Sequence, residues 1–239
     1  MEPVPSIAKK PVTYDVYECT LESKYLERAR LELNEEDYRR ESAIAQMREF
    51  IAKHPRIQRY RTDAVFLLRF LRYRKFNVMD ACEALEKYLT ALQVSREFFS
   101  VDLQDPLIKE CLCVPLGPNT DGSMVFLIRT GHFNPESFKL EQLISLNFLA
   151  LETYGYNEVL QVTGGTIVFD HSKTAMAHVA ALTFPKIKLL MDATAHYLGA
   201  RIKMIHVAQL PKFATAVVDL CVKALPSKLQ QRVKKLRYS

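Results

Sequence analysis

Apolar residues recur at helical spacing through most of the first hundred positions of the chain. The repeats predict three helices joined by short loops: one that Asn34 caps and that ends at residue 54, one over residues 62–76, and one over residues 77–92. We therefore expect a small helical bundle over residues 34–100. A lead-in of residues 1–33 precedes it and is expected to be irregular, or partly helical over residues 21–33.

The pattern changes after residue 110, where short β-branched runs replace the helical repeats. Residues 111–116 and 124–129 flank a turn-rich stretch and predict a β-hairpin, and an apolar helix is predicted over residues 139–154. Two later runs, residues 164–170 and 201–207, have the pattern of buried strands with helical sequence between them, which is typical of a parallel crossover unit. An α/β domain over residues 101–239 follows from this order of elements.

Residues 211–223, which follow the last predicted strand, are apolar over far more of a helix circumference than a surface helix needs. On a helical wheel Lys212, Thr215, Asp219 and Lys223 form one narrow stripe, and apolar residues cover the rest. Such a helix is either buried in the core or meets apolar material on both sides. The second alternative describes a lid, with one face over an apolar cavity and the other towards a membrane.

The composition is that of an ordinary globular protein, with 49% hydrophobic and 25% charged residues, but the charge is unevenly placed. The net charge is +6, and most basic residues of the last part of the chain are not balanced by acidic ones. Residues 226–235 predict a basic helix. An anionic surface is the partner that this segment suggests, and a solvated basic tail is the alternative reading of residues 234–239.

Several classes of function find no support in the sequence. The chain has no dinucleotide or phosphate-loop motif, its six histidines lack metal-ligand spacing, and aromatic residues do not interleave with the basic ones as in nucleic-acid-binding proteins. Asp170 beside His171 is the best catalytic candidate, but no nucleophile is placed with it. We therefore expect no enzyme activity, no cofactor, no metal site and no nucleic-acid partner.

The sequence also bears on location. No apolar run is long enough to span a membrane, and no signal peptide is visible at the N-terminus. Five scattered cysteines, including Cys111 and Cys113 in the predicted hairpin, indicate reduced thiols. A cytoplasmic location is expected.

Four stretches of the sequence resemble the CRAL-TRIO, or Sec14-like, family of lipid-binding proteins. The stretch DAVFLLRFLRYRKF at residues 63–76 is similar to the family's N-terminal helical signature, and residues 165–170, 205–206 and 223–232 are similar to its lipid-binding domain. The resemblance spans residues 40–235 and points to the branch of α-tocopherol transfer protein and cellular retinaldehyde-binding protein. It implies a mixed sheet that forms the floor of an apolar pocket, covered by a mobile gate helix at residues 211–225.

The resemblance also implies positions for the pocket and for a basic rim. The pocket positions, apolar but for one amide, are Ile128, Ile144, Asn147, Leu151, Ile167, Phe169, Leu182, Leu189, Leu190, Phe213, Val217, Leu220 and Cys221. In tocopherol transfer protein a basic rim binds phosphoinositide head groups, and the matching positions here are Arg74, Arg201, Lys203, Lys228 and Arg232. The last two are expected four residues apart on one face of the basic helix.

The chain departs from the family pattern at three points. Arg201 stands for a lysine and Lys203 for an arginine, which keeps the charge but alters the hydrogen-bonding geometry. Asn147 and Leu151 stand where the tocopherol protein has pocket serines, so that tocopherol, retinoids, carotenoids and similar lipids remain open as ligands. The chain stops at Ser239 without the family's usual ending, and we expect a truncated or shortened form.

Together these features predict an intracellular carrier that binds one hydrophobic lipid-like ligand and transfers it between membranes. It is expected to be a monomer that associates peripherally and reversibly with phosphoinositide-containing membranes. The alternatives are a phosphoinositide-dependent membrane adaptor without transfer activity, and a hydrolase that uses Asp170 and a histidine.

Overall fold

The computed structural model of the protein describes residues 7–94, 113–136, 140–192 and 199–236. Four helices come first in the chain: α1 (Ser23–Leu33), α2 (Asp37–Lys53), α3 (Ala64–Tyr73) and α4 (Val78–Val94). The predicted domain boundary after residue 100 lies outside the described residues, as does Cys111. The helix expected at residues 21–33 is present as α1.

Helix α3 lies at the centre of the N-terminal bundle. Its N-cap is Asp63, whose carboxylate accepts a hydrogen bond from the Phe66 amide at 3.3 Å and so satisfies one of the free N–H groups of the first turn. Phe66 and Phe70 are fully buried, and each contributes about 1.5–3 kcal/mol by leaving water. The same core includes Met47 of α2 and Leu85 of α4.

Two predicted helix ends in this half are wrong. Asn34 ends α1 in the left-handed conformation (φ 58°) instead of capping α2, whose N-cap is Glu36. Asn tolerates this conformation at a helix C-terminus better than most residues do. Helix α3 ends at Tyr73 because Lys75 and Phe76 adopt positive φ angles, which turn the chain and bury the Phe76 side chain in the core.

The second half is built on a five-stranded sheet in the order β1-β2-β3-β4-β5. The strands are β1 (Cys113–Pro118), β2 (Met124–Arg129), β3 (Gly165–Asp170), β4 (Ile202–Ala208) and β5 (Val233–Lys235). Strands β1 and β2 form the predicted antiparallel hairpin, and β2 to β5 pair in parallel. The predicted α/β fold class, with a mixed sheet, is confirmed.

Six described helices accompany the sheet. They are α5 (Leu140–Tyr154), α6 (Glu158–Thr163), α7 (Met176–Ala180), α8 (Phe184–Asp192), α9 (Thr215–Ala224) and α10 (Ser227–Gln230). A short 3-10 turn, Lys212–Ala214, leads into α9, which we call the gate helix.

The basic helix predicted over residues 226–235 is wrong. Only the single turn of α10 is helical, and Val233 begins β5. Two features favour the strand. Val233 is β-branched and packs with Leu229 against the sheet core. In addition, β5 pairs with an edge of β4 that would otherwise be open.

Arg72 of α3 joins the two halves of the chain. Its side chain is fully buried, and its Nε and Nη2 atoms donate hydrogen bonds to both carboxylate oxygens of Glu35 at 2.8 Å. Its Nη1 atom donates to Glu158 at 2.8 Å and to Gln161 at 2.7 Å, both on α6. Burial disfavours the charged form of Glu35, but hydrogen bonds from Arg72 and Arg40 outweigh it and lower the pKa of this carboxyl.

We expect Arg72→Met to destabilise the protein by about 3–5 kcal/mol, because it leaves buried carboxylates without their main partner. Urea unfolding followed by circular dichroism measures the loss. Arg39→Met removes the same charge from an exposed position of α2 and serves as the control. A loss below about 1 kcal/mol in the Arg72 variant, similar to that of an exposed site, would contradict this role.

Candidate functional site

One face of the sheet carries a continuous apolar surface, which we call the floor. Ile128 of β2 and Ile167 of β3 are buried there beside Ile202 and Ile205 of β4, and Phe169 packs against them half-buried. The structure therefore brings the three predicted pocket residues of the sheet into one cluster. Their role as ligand contacts stays a prediction.

The gate helix lies next to this floor without being part of the core. Each of its residues is either exposed or half-buried, and none is buried. Leu220 is 40% exposed, and Phe213 in the preceding turn is 45% exposed, whereas Val217 and Cys221 are half-buried. The core-helix alternative for this segment is therefore wrong.

The C-terminal end of the gate helix is anchored to the floor. Leu225, the first residue after the helix, is buried in the floor cluster. The Gln230 side-chain amide of α10 donates a hydrogen bond to the Leu225 carbonyl oxygen at 2.7 Å. The helix thus has a fixed end beside the sheet, and its body packs against α8 without burying any residue completely.

Other predicted pocket positions are placed less completely. Leu182 and Leu190, around α8, are half-buried, and the side chains of Ile144, Asn147, Leu151 and Leu189 lie outside the described part of the structure. A cavity of about 40 Å³ lies beside the floor residues Ile167 and Ile202, and Phe126 and Arg69 also line it. It has room for about three water molecules and not for a lipid.

A cationic cluster lies where β4 begins. Arg201 donates a hydrogen bond from Nη2 to Glu32 of α1 at 2.9 Å, and the Lys203 ammonium lies 3.4 Å from the same oxygen. Arg28, one turn earlier on α1, donates to the other Glu32 oxygen at 2.8 Å. Arg232 joins the group by donating to the Ile202 carbonyl oxygen, and its charge acts on Arg201. We use the name cationic cluster for Arg28, Arg201, Lys203 and Arg232.

A β-bulge sets the direction of Lys203. The register pairs Gly165 with Ile202 and Thr166 with Met204, so that Lys203 has no partner on β3. A bulge of this kind re-aims a side chain and lets Ile202 and Ile205 face the same floor. Gly164 makes room for it, because a Cβ atom there would lie 2.7 Å from the Arg201 carbonyl oxygen.

The charges of the cluster perturb one another. Burial and neighbouring cations lower the pKa of Arg201 and of Lys203. Burial acts against ionisation of Glu32, but hydrogen bonds from Arg201 and Arg28 outweigh it and hold the pKa of this carboxyl at about 2. Sequence reasoning missed Arg28 and Glu32, although their i,i+4 spacing on a predicted helix was a signal for an ion pair.

The structure brings together only part of the predicted basic rim. Arg201, Lys203 and Arg232 belong to the cationic cluster, whereas Arg74 stacks its guanidinium over the Tyr73 ring, 4.6 Å from the centroid, at the end of α3. Lys228 is exposed on α10. Its predicted position on one helix face with Arg232 is wrong, because the chain leaves the helix at Gln230.

The catalytic candidate Asp170 lies where β3 ends. One oxygen of its carboxylate accepts a hydrogen bond from the Ser172 amide at 2.9 Å, and its main-chain oxygen accepts one from the Thr130 hydroxyl at 2.8 Å. The ring nitrogen Nδ1 of His171 lies 3.0 Å from the same hydroxyl, and burial lowers the pKa of this imidazole. Within the described residues no group of three or more His, Cys, Asp or Glu is arranged to hold a metal ion.

Comparison with known proteins identifies the family. A family model described as the CRAL/TRIO domain matches residues 109–239. The chain belongs to the CRAL/TRIO family. The family assignment made from the sequence is confirmed. Proteins of this family bind small lipophilic molecules.

Relatives of this CRAL/TRIO protein include the clavesins. Clavesin-1 of Xenopus laevis is 28% identical over 219 residues, which cover 89% of this chain and 66% of the relative. Clavesin-2 of Homo sapiens is 29% identical over 219 residues, which cover 89% of this chain and 67% of the relative. The chain thus spans about two thirds of the length of these relatives. The tocopherol and retinaldehyde branch stays a prediction.

A solved structure shows the same fold. The crystal structure of Sfh5 superposes with a TM-score of 0.51 at 10% identity, and covers 90% of this chain and 81% of that chain. No described helix of this CRAL/TRIO protein is both long and apolar enough to cross a membrane.

Glu32 makes stability depend on acid pH. Its pKa is about 2 in the folded protein against an ordinary value of 4.5, so its pairing stabilises the fold above pH 4.5 and is lost as pH falls towards 2. We expect Glu32→Gln to be less stable at neutral pH by on the order of 1 kcal/mol, since the pair is partly exposed. Urea unfolding at several pH values should show this difference shrinking below pH 4.5. A difference that stays constant across the range would contradict the assignment.

Proposed function

We propose that this protein is an intracellular carrier that takes up one hydrophobic lipid-like molecule above the floor and releases it at membranes. The observation that carries the proposal is the gate helix, an apolar helix with no buried residue beside an apolar sheet face. Phe213 and Leu220, which are exposed in the turn before the gate helix and on the helix itself, offer apolar surface for a ligand or a membrane to cover. A carrier provides both partners in turn.

The energy available from the ligand is sufficient. Burial of about 300 Å² of apolar ligand surface at about 25 cal/mol/Å² contributes about 7 kcal/mol before the costs of association. Tocopherol, retinoids and carotenoids all have apolar surfaces of this size or larger. Asn147 and Leu151, predicted on the pocket wall, are the positions that we expect to select among them.

The cationic cluster is the proposed contact with the membrane head groups. Phosphate oxygens accept several charge-assisted hydrogen bonds at once, and Arg201, Lys203 and Arg232 supply donors from neighbouring positions. Phosphoinositides carry phosphate monoesters on the inositol ring, which phosphatidylserine lacks. Binding of such a head group brings the gate helix to the bilayer, with peripheral and reversible attachment as the result.

Two other functions remain as alternatives. A phosphoinositide-dependent adaptor would use the cationic cluster alone and carry no lipid. A hydrolase would need Asp170 and His171 as catalytic groups, but the hydrogen bonds of Asp170 to Ser172 and Thr130 tie together the loops after β2 and β3. The proposal is therefore a carrier that catalyses no reaction.

We expect one lipid molecule to co-purify with each protein molecule. Native mass spectrometry followed by organic extraction measures the stoichiometry and identifies the lipid. An empty protein that still binds vesicles would favour the adaptor.

The same lipid then serves to test the gate helix. Leu220→Asp should slow transfer between vesicles about tenfold or more, because a charge must be desolvated when the helix meets the bilayer. Thr215→Asp places the same charge on the polar stripe and should transfer normally. If the loss of thermal stability in Leu220→Asp is in proportion to its loss of transfer rate, the helix acts only as a structural element.

We expect Arg201→Ala combined with Lys203→Ala to abolish the preference for phosphoinositide vesicles over phosphatidylserine vesicles of equal charge, as measured by flotation. Lys53→Ala combined with Lys87→Ala removes the same charge from exposed pairs on α2 and α4, and should keep the preference. Wild-type binding should weaken with salt because the cluster is partly exposed. Equal wild-type binding to both kinds of vesicle would leave a nonspecific basic patch.

A further inference from the structure

Glu32 lies in the middle of the cationic cluster, where an anionic ligand is proposed to bind. Its Oε2 atom is 2.9 Å from Arg201 Nη2 and 3.4 Å from Lys203 Nζ, and its Oε1 atom is 2.8 Å from Arg28 Nε. One carboxylate thus receives donors from three cations, of which Arg28 lies on α1, Lys203 on β4 and Arg201 immediately before β4. This is the arrangement in which a phosphate group is usually held.

We infer that Glu32 occupies the position of a phosphate group and competes with a phosphoinositide head group, to which Arg28 then donates as a further binding residue. The inference rests on the proposed function, in which the cationic cluster receives that head group. Helix α1 thereby becomes part of the binding site. Glu32 blocks the site while no head group is bound, and Arg28 completes the site when a head group is bound.

The chemistry favours displacement by a phosphate over displacement by a simpler anion. A phosphate monoester carries a charge of about −1.5 to −2 and three acceptor oxygens, against −1 and two oxygens for the carboxylate. Its gain over Glu32 is therefore larger than that of a carboxylate lipid such as phosphatidylserine, whose head group offers no such monoester. The competition by Glu32 lowers the affinity for all anionic head groups, and it increases the preference for phosphoinositides over phosphatidylserine.

The fold allows the Glu32 side chain to leave while α1 stays in place. Helix α1 is held by a separate apolar contact, in which Ala29 and Leu33 pack against Val162 of α6. Arg28 is held independently, because its Nη1 atom donates to the Asp121 carbonyl oxygen at 2.6 Å in the β1–β2 turn. Only the Glu32 side chain, itself 36% exposed, needs to change its rotamer.

Four variants on α1 test the inference. Glu32→Gln should raise the affinity for vesicles that contain phosphatidylinositol bisphosphate, and for soluble inositol trisphosphate, by about tenfold, because the loss of partly exposed ion pairs removes the competitor. Arg28→Ala should lower both affinities several-fold. Glu27→Gln and Arg30→Ala change the same charges in an exposed pair of the same helix, and should stay within about twofold of the wild type.

Flotation gives the vesicle affinities, titration calorimetry gives the trisphosphate affinities, and thermal melts check that every variant folds. An unfolded fraction cannot produce a gain, so increased binding by Glu32→Gln is readable even if it is less stable. Equal gains in Glu27→Gln, or a gain on vesicles that is absent with the soluble trisphosphate, would reduce the effect to general electrostatic attraction and overturn the inference.

The outcomes also separate the inference from the proposed function. If the wild type prefers phosphoinositide vesicles and Glu32→Gln binds no better, the head-group site stands and the competition by Glu32 is refuted. If neither protein binds the trisphosphate, both the site and the competition are refuted. Binding that appears only in Glu32→Gln would support the competition in its strongest form.

Discussion

The structure depends on the buried charge of Arg72. A guanidinium with no exposed surface is stable only if nearly all its donors are paired, and here Glu35, Glu158 and Gln161 supply the acceptors. Glu35 lies just before α2, whereas Glu158 and Gln161 lie on α6. The need to pair the guanidinium therefore holds the helical bundle against the sheet domain. Tyr17 of the lead-in reaches the same network through Glu158 at 2.5 Å. The part of the lead-in around Tyr17 is therefore joined to the folded unit.

The same requirement positions α1 and the cationic cluster. Helix α6, held by Arg72, presents Val162 to the apolar side of α1, and the Val162 carbonyl oxygen accepts a hydrogen bond from Arg201. Glu32 on α1 then meets Arg201 and Lys203 at the start of β4. Charges that are distant in sequence meet because one buried arginine orders the elements between them.

The sequence was sufficient for the features that follow from periodicity. The hairpin, the buried strands β3 and β4, the helices of the bundle and the unusual polarity of residues 211–223 were all predictable from local pattern. The predictions at Asn34 and at residues 226–235 are wrong for two different reasons. Asn34 adopts the left-handed conformation that ends α1, and Val233 pairs with the edge of β4 instead of continuing a helix. The bulge at Lys203 and the partnership of Glu32 with Arg201 depend on a register and a long-range contact that spacing cannot reveal.

Strand β4 contributes residues to both parts of the candidate site. Ile202 and Ile205 pack on the floor with Leu225, which anchors the gate helix, whereas the bulge between them directs Lys203 to the cationic cluster. Arg232, which follows α10, donates a hydrogen bond to the Ile202 carbonyl oxygen. The chain that follows the gate helix is thus bonded to β4. Strand β4 pairs with β3 on one side and β5 on the other, so Lys203 and the residues that pack against Leu225 lie on one strand inside the sheet. The apolar floor and the cationic cluster therefore meet at β4, which contributes Ile202 and Ile205 to the floor and Lys203 to the cluster.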